Sequence, residues 1–216
     1  MLLSTAYCPP LSWFALAAKD FTLSGDRVIP SVVYLEACEN YRKQSYRTRC
    51  RIATASGVET LSVPIVHDSP KMAIRSVRID YSTPWLTRTE RALDAAYHTS
   101  PWYDCYRSEL FALMESGEEM LFDYNLSLIE YFLQRTGIAC ELRLTESFAE
   151  EAPEDYRYSI DPKKKDDTLS SLGLQRPYYQ VFSSGKAFKE NLSVMDLLFN
   201  EGPDAITYLK KVRPQR

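Results

Sequence analysis

The sequence predicts an α/β chain, with α+β as the alternative: one domain over residues 1–216, a mixed β-sheet flanked by helices, and a helical middle and C-terminus. Three observations carry this. The N-terminal third reads strand, helix, strand, the order of a βαβ unit, whose crossover is right-handed. The middle has apolar residues at helical spacing. Hydrophobic residues make up 45% of the 216, enough for one sizeable core.

The elements follow in order. Residues 2–8 (LLSTAYC) form a short buried strand that Pro9-Pro10 stops. Pro10 suits a helix start, where its missing N–H is not needed, and Leu11, Phe14 and Ala18 share one helical face. Ser31 to Glu36 is the next strand. Residues 45–65 alternate about an Ala55-Ser56-Gly57 turn and predict a hairpin, with Pro64 at an edge or strand end. Val77, Ile79 and Tyr81 mark another strand. Thr83-Pro84 opens a helix through about His98, Ser100-Pro101 interrupts, and a further helix covers Trp102 to Glu115. Phe122, Leu126, Ile129 and Leu133 step by four, three and four along a helix that Gly137 ends as a left-handed cap. Ile138, Cys140, Leu142 and Leu144 form a half-buried strand.

Residues 145–176 lose apolar periodicity. Five acids and no bases fall between Thr145 and Asp155, then Lys163-Lys164-Lys165 faces Asp166-Asp167. The segment is a surface excursion or a lid. Tyr178 to Phe182 then reads as a short strand. Ser193 and Asp196 form an S-x-x-D capping box, which makes Asp196 a capping residue, while Asn191 orients the loop before it. Pro203 starts a last helix through about Lys211.

Composition excludes several sites. The 7 glycines never lie closer than 12 positions, so the chain has no Rossmann fingerprint, Walker A loop or nucleophile elbow. Two histidines, His67 and His98, cannot build a three-histidine zinc centre, and no metal or cofactor is expected. Net charge is −3, against nucleic acid as a partner, and no apolar run is long enough to span a membrane. Five cysteines without a C-x-x-C pair read as reduced thiols in a cytoplasm. The apolar N-terminus lacks a basic region and a small residue before Cys8, against a secretory signal.

The best local signal is Tyr41 to Arg51, with five bases and no acid. If that segment is extended, Lys43, Arg47, Arg49 and Arg51 point the same way and could grip phosphate, pyrophosphate or carboxylate. The plain alternative is a solvated face neutralised by Glu36, Glu39 and other acids. Tyr7, Gln44, Tyr46, Tyr97, Trp102 and Tyr103 are candidate walls for a sugar or ring substrate. Tyrosine is abundant, at 15 residues. His98 is the first candidate base, being near its titration point at neutral pH, and Cys8 is the second. A structural histidine and a buried thiol are the plain alternatives. His67-Asp68 reads as a turn pair.

Four blocks resemble one family. They are A-Y-C-P-P-L-S-W-F-A (6–15), Y-R-K-Q-S-Y-R-T-R-C-R-I (41–52), L-S-V-P-I (61–65) and N-L-S-V-M-D-L-L-F-N-E-G-P (191–203). In order and spacing they resemble the WbqC-like protein family over nearly the whole chain. Thr48 departs from an expected asparagine in an R-N-R pattern, which weakens a catalytic role there. The resemblance implies a place in bacterial surface-polysaccharide or O-antigen biosynthesis, and a transferase that moves glycine or another acyl group to a sugar. It implies no agreed catalytic residues. The substrate expected is a sugar or phosphorylated small molecule. The alternative is a non-catalytic scaffold that organises polysaccharide enzymes.

Overall fold

The computed structural model describes residues 1–24, 27–66, 71–183 and 187–210. A three-stranded parallel sheet lies at its centre. β1 (Leu2–Ser4), β4 (Ser31–Glu36) and β7 (Cys140–Leu144) pair in the order β1-β4-β7. The register sets Leu3 against Leu35 and Val33 against Leu142. α1 (Leu11–Lys19) follows β1 directly. Its sequence, LSWFALAAK, is apolar on every side, so Leu11 to Ala18 are all buried. It packs between β4 and three C-terminal helices, α5 (Thr168–Ser171), α6 (Val194–Glu201) and α7 (Ala205–Leu209).

Two antiparallel ribbons stand apart from the parallel sheet. β2 (Thr22–Ser24) pairs with β3 (Arg27–Ile29), and β5 (Arg49–Thr54) pairs with β6 (Gly57–Ser62). Parallel and antiparallel pairing are thus both present, divided among three small sheets. The middle is helical: α2 (Trp85–Tyr97), α3 (Tyr103–Met114) and α4 (Leu121–Thr136). Gly137 closes α4 at φ 75°, with its N–H on the Gln134 carbonyl.

Several expectations change. The first strand ends at Ser4, because Thr5 to Pro10 turns into α1 and Cys8 sits at φ 40°. Residues 77–81 form isolated bridges, Ile79 to Ile65 and Arg78 to Met120, instead of a strand. Tyr178 to Phe182 is no strand either. Its side chains are spent on Asp196 and its Tyr179 N–H on Glu201, so no ladder forms. The last helix covers Ala205–Leu209; Lys211 and the His67-Asp68 pair lie outside the described residues.

Residues 145–176 pack onto the sheet. Leu2 bonds the backbone on both sides of Asp155, accepting from Tyr156 and donating to Glu154. The segment thereby runs parallel to β1 along the edge of the sheet, and reaches the carboxyl end of that strand at Arg157, whose C=O accepts from Ser4 Oγ at 3.3 Å.

Candidate functional site at the carboxyl ends of the parallel strands

In a parallel sheet every strand ends on the same side, and ligands gather there. Three loops meet at this end. Tyr7 N–H bonds Tyr46 C=O at 2.8 Å, Leu11 N–H bonds Leu192 C=O at 2.9 Å, and Ser193 N–H bonds Arg51 C=O at 2.8 Å. Among the described residues, the non-glycines at positive φ are Cys8 (40°), Gln44 (57°) and Asn191 (51°). Each lies in a different one of these loops. Left-handed backbone without glycine costs energy and persists only where its surroundings hold it.

Buried charge holds the loops together. Arg47 is 3% exposed. It donates to both oxygens of Glu39, Nε at 2.8 Å, and to Ser4 Oγ at 2.7 Å. Arg157, 2% exposed, reaches Glu36 Oε2 at 2.8 Å and grips Asp155 through Nε and Nη2. That grip holds the Asp155 carboxyl below its ordinary range. Glu36 also accepts from Cys38 N–H, Thr145 Oγ1 and Ala149 N–H, so both of its oxygens are satisfied. Burial without such partners would be prohibitive.

Above this network lies a groove of about 500 Å³. Tyr156, Tyr158, Lys164, Lys165, Asp166 and Thr168 are among its walls, with Leu16 of α1 at its base. Asn191 joins the groove to the basic strand. Its Oδ1 accepts Ser12 N–H at 2.9 Å, its Nδ2 donates to Asp166 Oδ2 at 2.8 Å, and its carbonyl accepts Arg51 Nη2 at 3.0 Å. Arg51 Nε is buried and has no hydrogen-bond partner among the described residues. The Arg51 guanidinium lies 5.9 Å from the Tyr46 ring centre. Burial pushes the Tyr46 phenol up to about 12, so it stays a hydrogen-bond donor at neutral pH.

The four cations do not share one strand face. Residues 43–48 turn and bend, and the strand begins only at Arg49. Lys43 and Gln44 are exposed on the turn, Arg47 is consumed by Glu39, and Arg49 and Arg51 remain half-buried on β5. Thr48 is buried, with its Oγ1 3.3 Å from the Tyr41 hydroxyl. Tyr7 and Cys8 are wholly buried, and burial drives the Cys8 thiol upward, away from a thiolate. A hydrogen bond to Cys50 adds to that shift.

The 97–103 junction forms a separate region. Tyr97 and Tyr103 are core residues packed edge-on against Phe199. Trp102 covers Gly202, where a Cβ would fall 2.3 Å from its ring. His98 is exposed at the C-cap of α2, its Nδ1 3.1 Å from the Asp94 carbonyl. Behind this junction Asp196 accepts from Tyr97 at 3.0 Å, Tyr178 at 2.5 Å and Gln180 at 2.8 Å. Only half of the expected capping box exists: Ser193 Oγ accepts Met195 N–H, while Asp196 turns inward.

Sequence reasoning missed Asp155, Arg157 and Asp166 as site residues. They lie in the aperiodic excursion; Arg157 holds Asp155 two positions away, but it reaches Glu36 across 121 positions and Asn191 reaches Asp166 across 25. The one available signal was the concentration of charge in that segment.

The model of the WbqC-like protein family matches residues 28–172. No curated protein and no solved structure matches the chain.

Proposed function

The chain belongs to the WbqC-like protein family, and we propose that it is a cytoplasmic transferase of bacterial surface-polysaccharide biosynthesis. It moves glycine or another acyl group to a sugar, and one substrate carries an anionic handle. The observation that supports this most is the hydrogen-bonded link from Asp166 in the groove wall through Asn191 to Arg51. Tyr156 and Tyr158 offer ring faces to a sugar, and Lys164 and Lys165 offer charge to a phosphate or carboxylate. Arg51, with an unspent Nε, is the guanidinium best placed to bind the handle. Arg47 and Arg157 position the loops and do not touch substrate. Asp166, at the junction, takes the proton from an acceptor hydroxyl as that oxygen bonds the acyl carbon, and the acyl–phosphate bond of the donor breaks to release phosphate. Neither exposed His98 nor buried Cys8 is given that role.

A scaffold is the second reading. An apolar cleft of about 260 Å³, lined by Met1, Leu2, Tyr34, Ala149, Ala152 and Pro153, favours it, with Phe148 exposed nearby.

Thermal shift against nucleotide sugars, acyl phosphates and inorganic pyrophosphate tests the transferase reading. One class raises the melting temperature. Arg51→Ala weakens that binding roughly 10- to 100-fold, the effect of one lost charge-assisted bond of about 1.5–3 kcal/mol. Glu119→Ala, on the open surface, leaves it unchanged. No response to any of these anions at millimolar concentration sinks the reading.

A further inference from the structure

We propose that the protein forms a two-fold dimer by pairing β7 with β7 of a second copy, antiparallel and centred on Leu142. This goes beyond the transferase reading and stands without it.

Among the described residues β7 has one neighbour, β4, and its other edge is open. The ladder shows which groups point outward. Ala139 C=O accepts Ser31 N–H at 3.0 Å, and Thr145 N–H donates to Leu35 C=O at 3.0 Å. Both residues therefore face β4. Backbone groups alternate along a strand, so Cys140, Leu142 and Leu144 turn their N–H and C=O away from the sheet. Open edges of this kind are usually blunted by charged side chains, proline or a bulge. β7 reads CELRL: it holds no proline, and its two charges are opposite in sign, so they repel a foreign edge less than they suit a second copy of this one.

The edge is complementary to itself. In an antiparallel pair centred on Leu142, Leu142 meets its own copy, and Cys140 meets Leu144 of the second copy. All three present outward hydrogen-bonding groups, so the pairs exchange N–H···O=C bonds in both directions. Glu141 falls opposite Arg143 of the second copy, and the two-fold axis repeats the pair. Both side chains are about half exposed, and within one chain Arg143 Nε donates to Glu141 at 2.8 Å. The other side chains, Cys140, Leu142 and Leu144, are half-buried and packed against the core, so pairing completes their cover. A groove of about 350 Å³ runs beside the edge, between Glu130, Leu133 and Gln134 of α4 and residues 138–142. It leaves room for a strand to approach. An isologous contact of this sort closes on itself and stops at two copies.

Sedimentation velocity on the full chain, over rising protein concentration, tests this. The wild type shifts from one mass to twice that mass. Glu141→Arg sets like charges opposite each other twice and raises the dimer dissociation constant on the order of tenfold. Adding Arg143→Glu to it restores opposite charges and restores the dimer. Leu142→Pro removes the central N–H and abolishes association, with circular dichroism reporting whether the monomer stays folded. A wild type that remains monomeric at every concentration overturns the proposal. So does a dimer indifferent to Glu141→Arg, or one that the double swap fails to rescue.

Discussion

Two buried polar clusters in this protein handle charge in opposite ways. At the carboxyl ends of the strands, Glu36 and Glu39 each meet an arginine. Behind the 97–103 junction, Asp196 is 1% exposed and held by two phenols and an amide, with no cation among its partners in the described residues. The first cluster keeps charge in the interior by pairing it. The second makes the charged form costly, and burial raises the Asp196 carboxyl above its ordinary range. Both regions are rich in the residue types that suggest function. The first lies beside the groove of about 500 Å³, while Gln180 of the second lines a separate cleft of about 330 Å³ with Phe182 and Lys189.

The largest break in this comparison is at Arg157. Arg157→Met leaves Glu36 buried without its cation and is expected to cost about 3–5 kcal/mol in urea unfolding. Glu36→Gln in the same chain recovers much of that loss, because it removes the orphaned charge. If the double variant is as unstable as the two single losses summed, the pair is not coupled and the paired-charge account fails.

Asp196 comes next. Asp196→Ala strips an acceptor from Tyr97, Tyr178 and Gln180 and costs roughly 2–3 kcal/mol. Asp196→Asn keeps the shape and removes the titration. The native carboxyl binds its proton more tightly than the unfolded one, so its stabilising contribution is complete at low pH. That contribution fades as pH rises above the unfolded value through the raised native one. The wild type therefore loses ground to Asp196→Asn as pH rises from acid toward neutral. Parallel stability curves for the two proteins across that range would show that Asp196 does not titrate differently in the fold.

Local patterns in the sequence revealed the elements, because helix faces, the Ala55-Ser56-Gly57 turn and the Gly137 cap depend on neighbours. They did not reveal the clusters. Arg157 and Glu36 lie 121 positions apart, and Tyr97 and Asp196 lie 99 apart. S-x-x-D is a local pattern, so it hid the inward turn of Asp196. The basic block misled for a related reason. Spacing by two implies one face only if the backbone is extended, and the backbone turns at Gln44. The 7–10 and 43–51 segments do meet, through Tyr7 N–H and Tyr46 C=O.

A smaller effect separates affinity from stability within the first cluster. Asn191→Asp keeps an acceptor for Ser12 N–H but loses the donor to Asp166 and sets two carboxylates together. Anion binding at the groove should weaken about tenfold, while unfolding free energy changes by about 1 kcal/mol. Equal loss of both would make Asn191 a structural residue only.

The smallest effect distinguishes strain that is bonded from strain that is idle. Asn191 and Gln44 share nearly the same left-handed backbone, at 51° and 57°. Asn191 spends its side chain on Ser12 and Asp166, so glycine there relieves the backbone and loses two hydrogen bonds. Gln44 is exposed on its turn. Glycine there relieves a cost of about 1–2 kcal/mol, offset in part by roughly 0.5–1 kcal/mol of extra freedom in the unfolded chain. Gln44→Gly is therefore expected to raise stability by up to about 1 kcal/mol, and Asn191→Gly to lower it. Opposite signs in paired urea titrations tie the Asn191 conformation to its contacts. A stabilising Asn191→Gly would mean that those bonds contribute less than the backbone they hold in place.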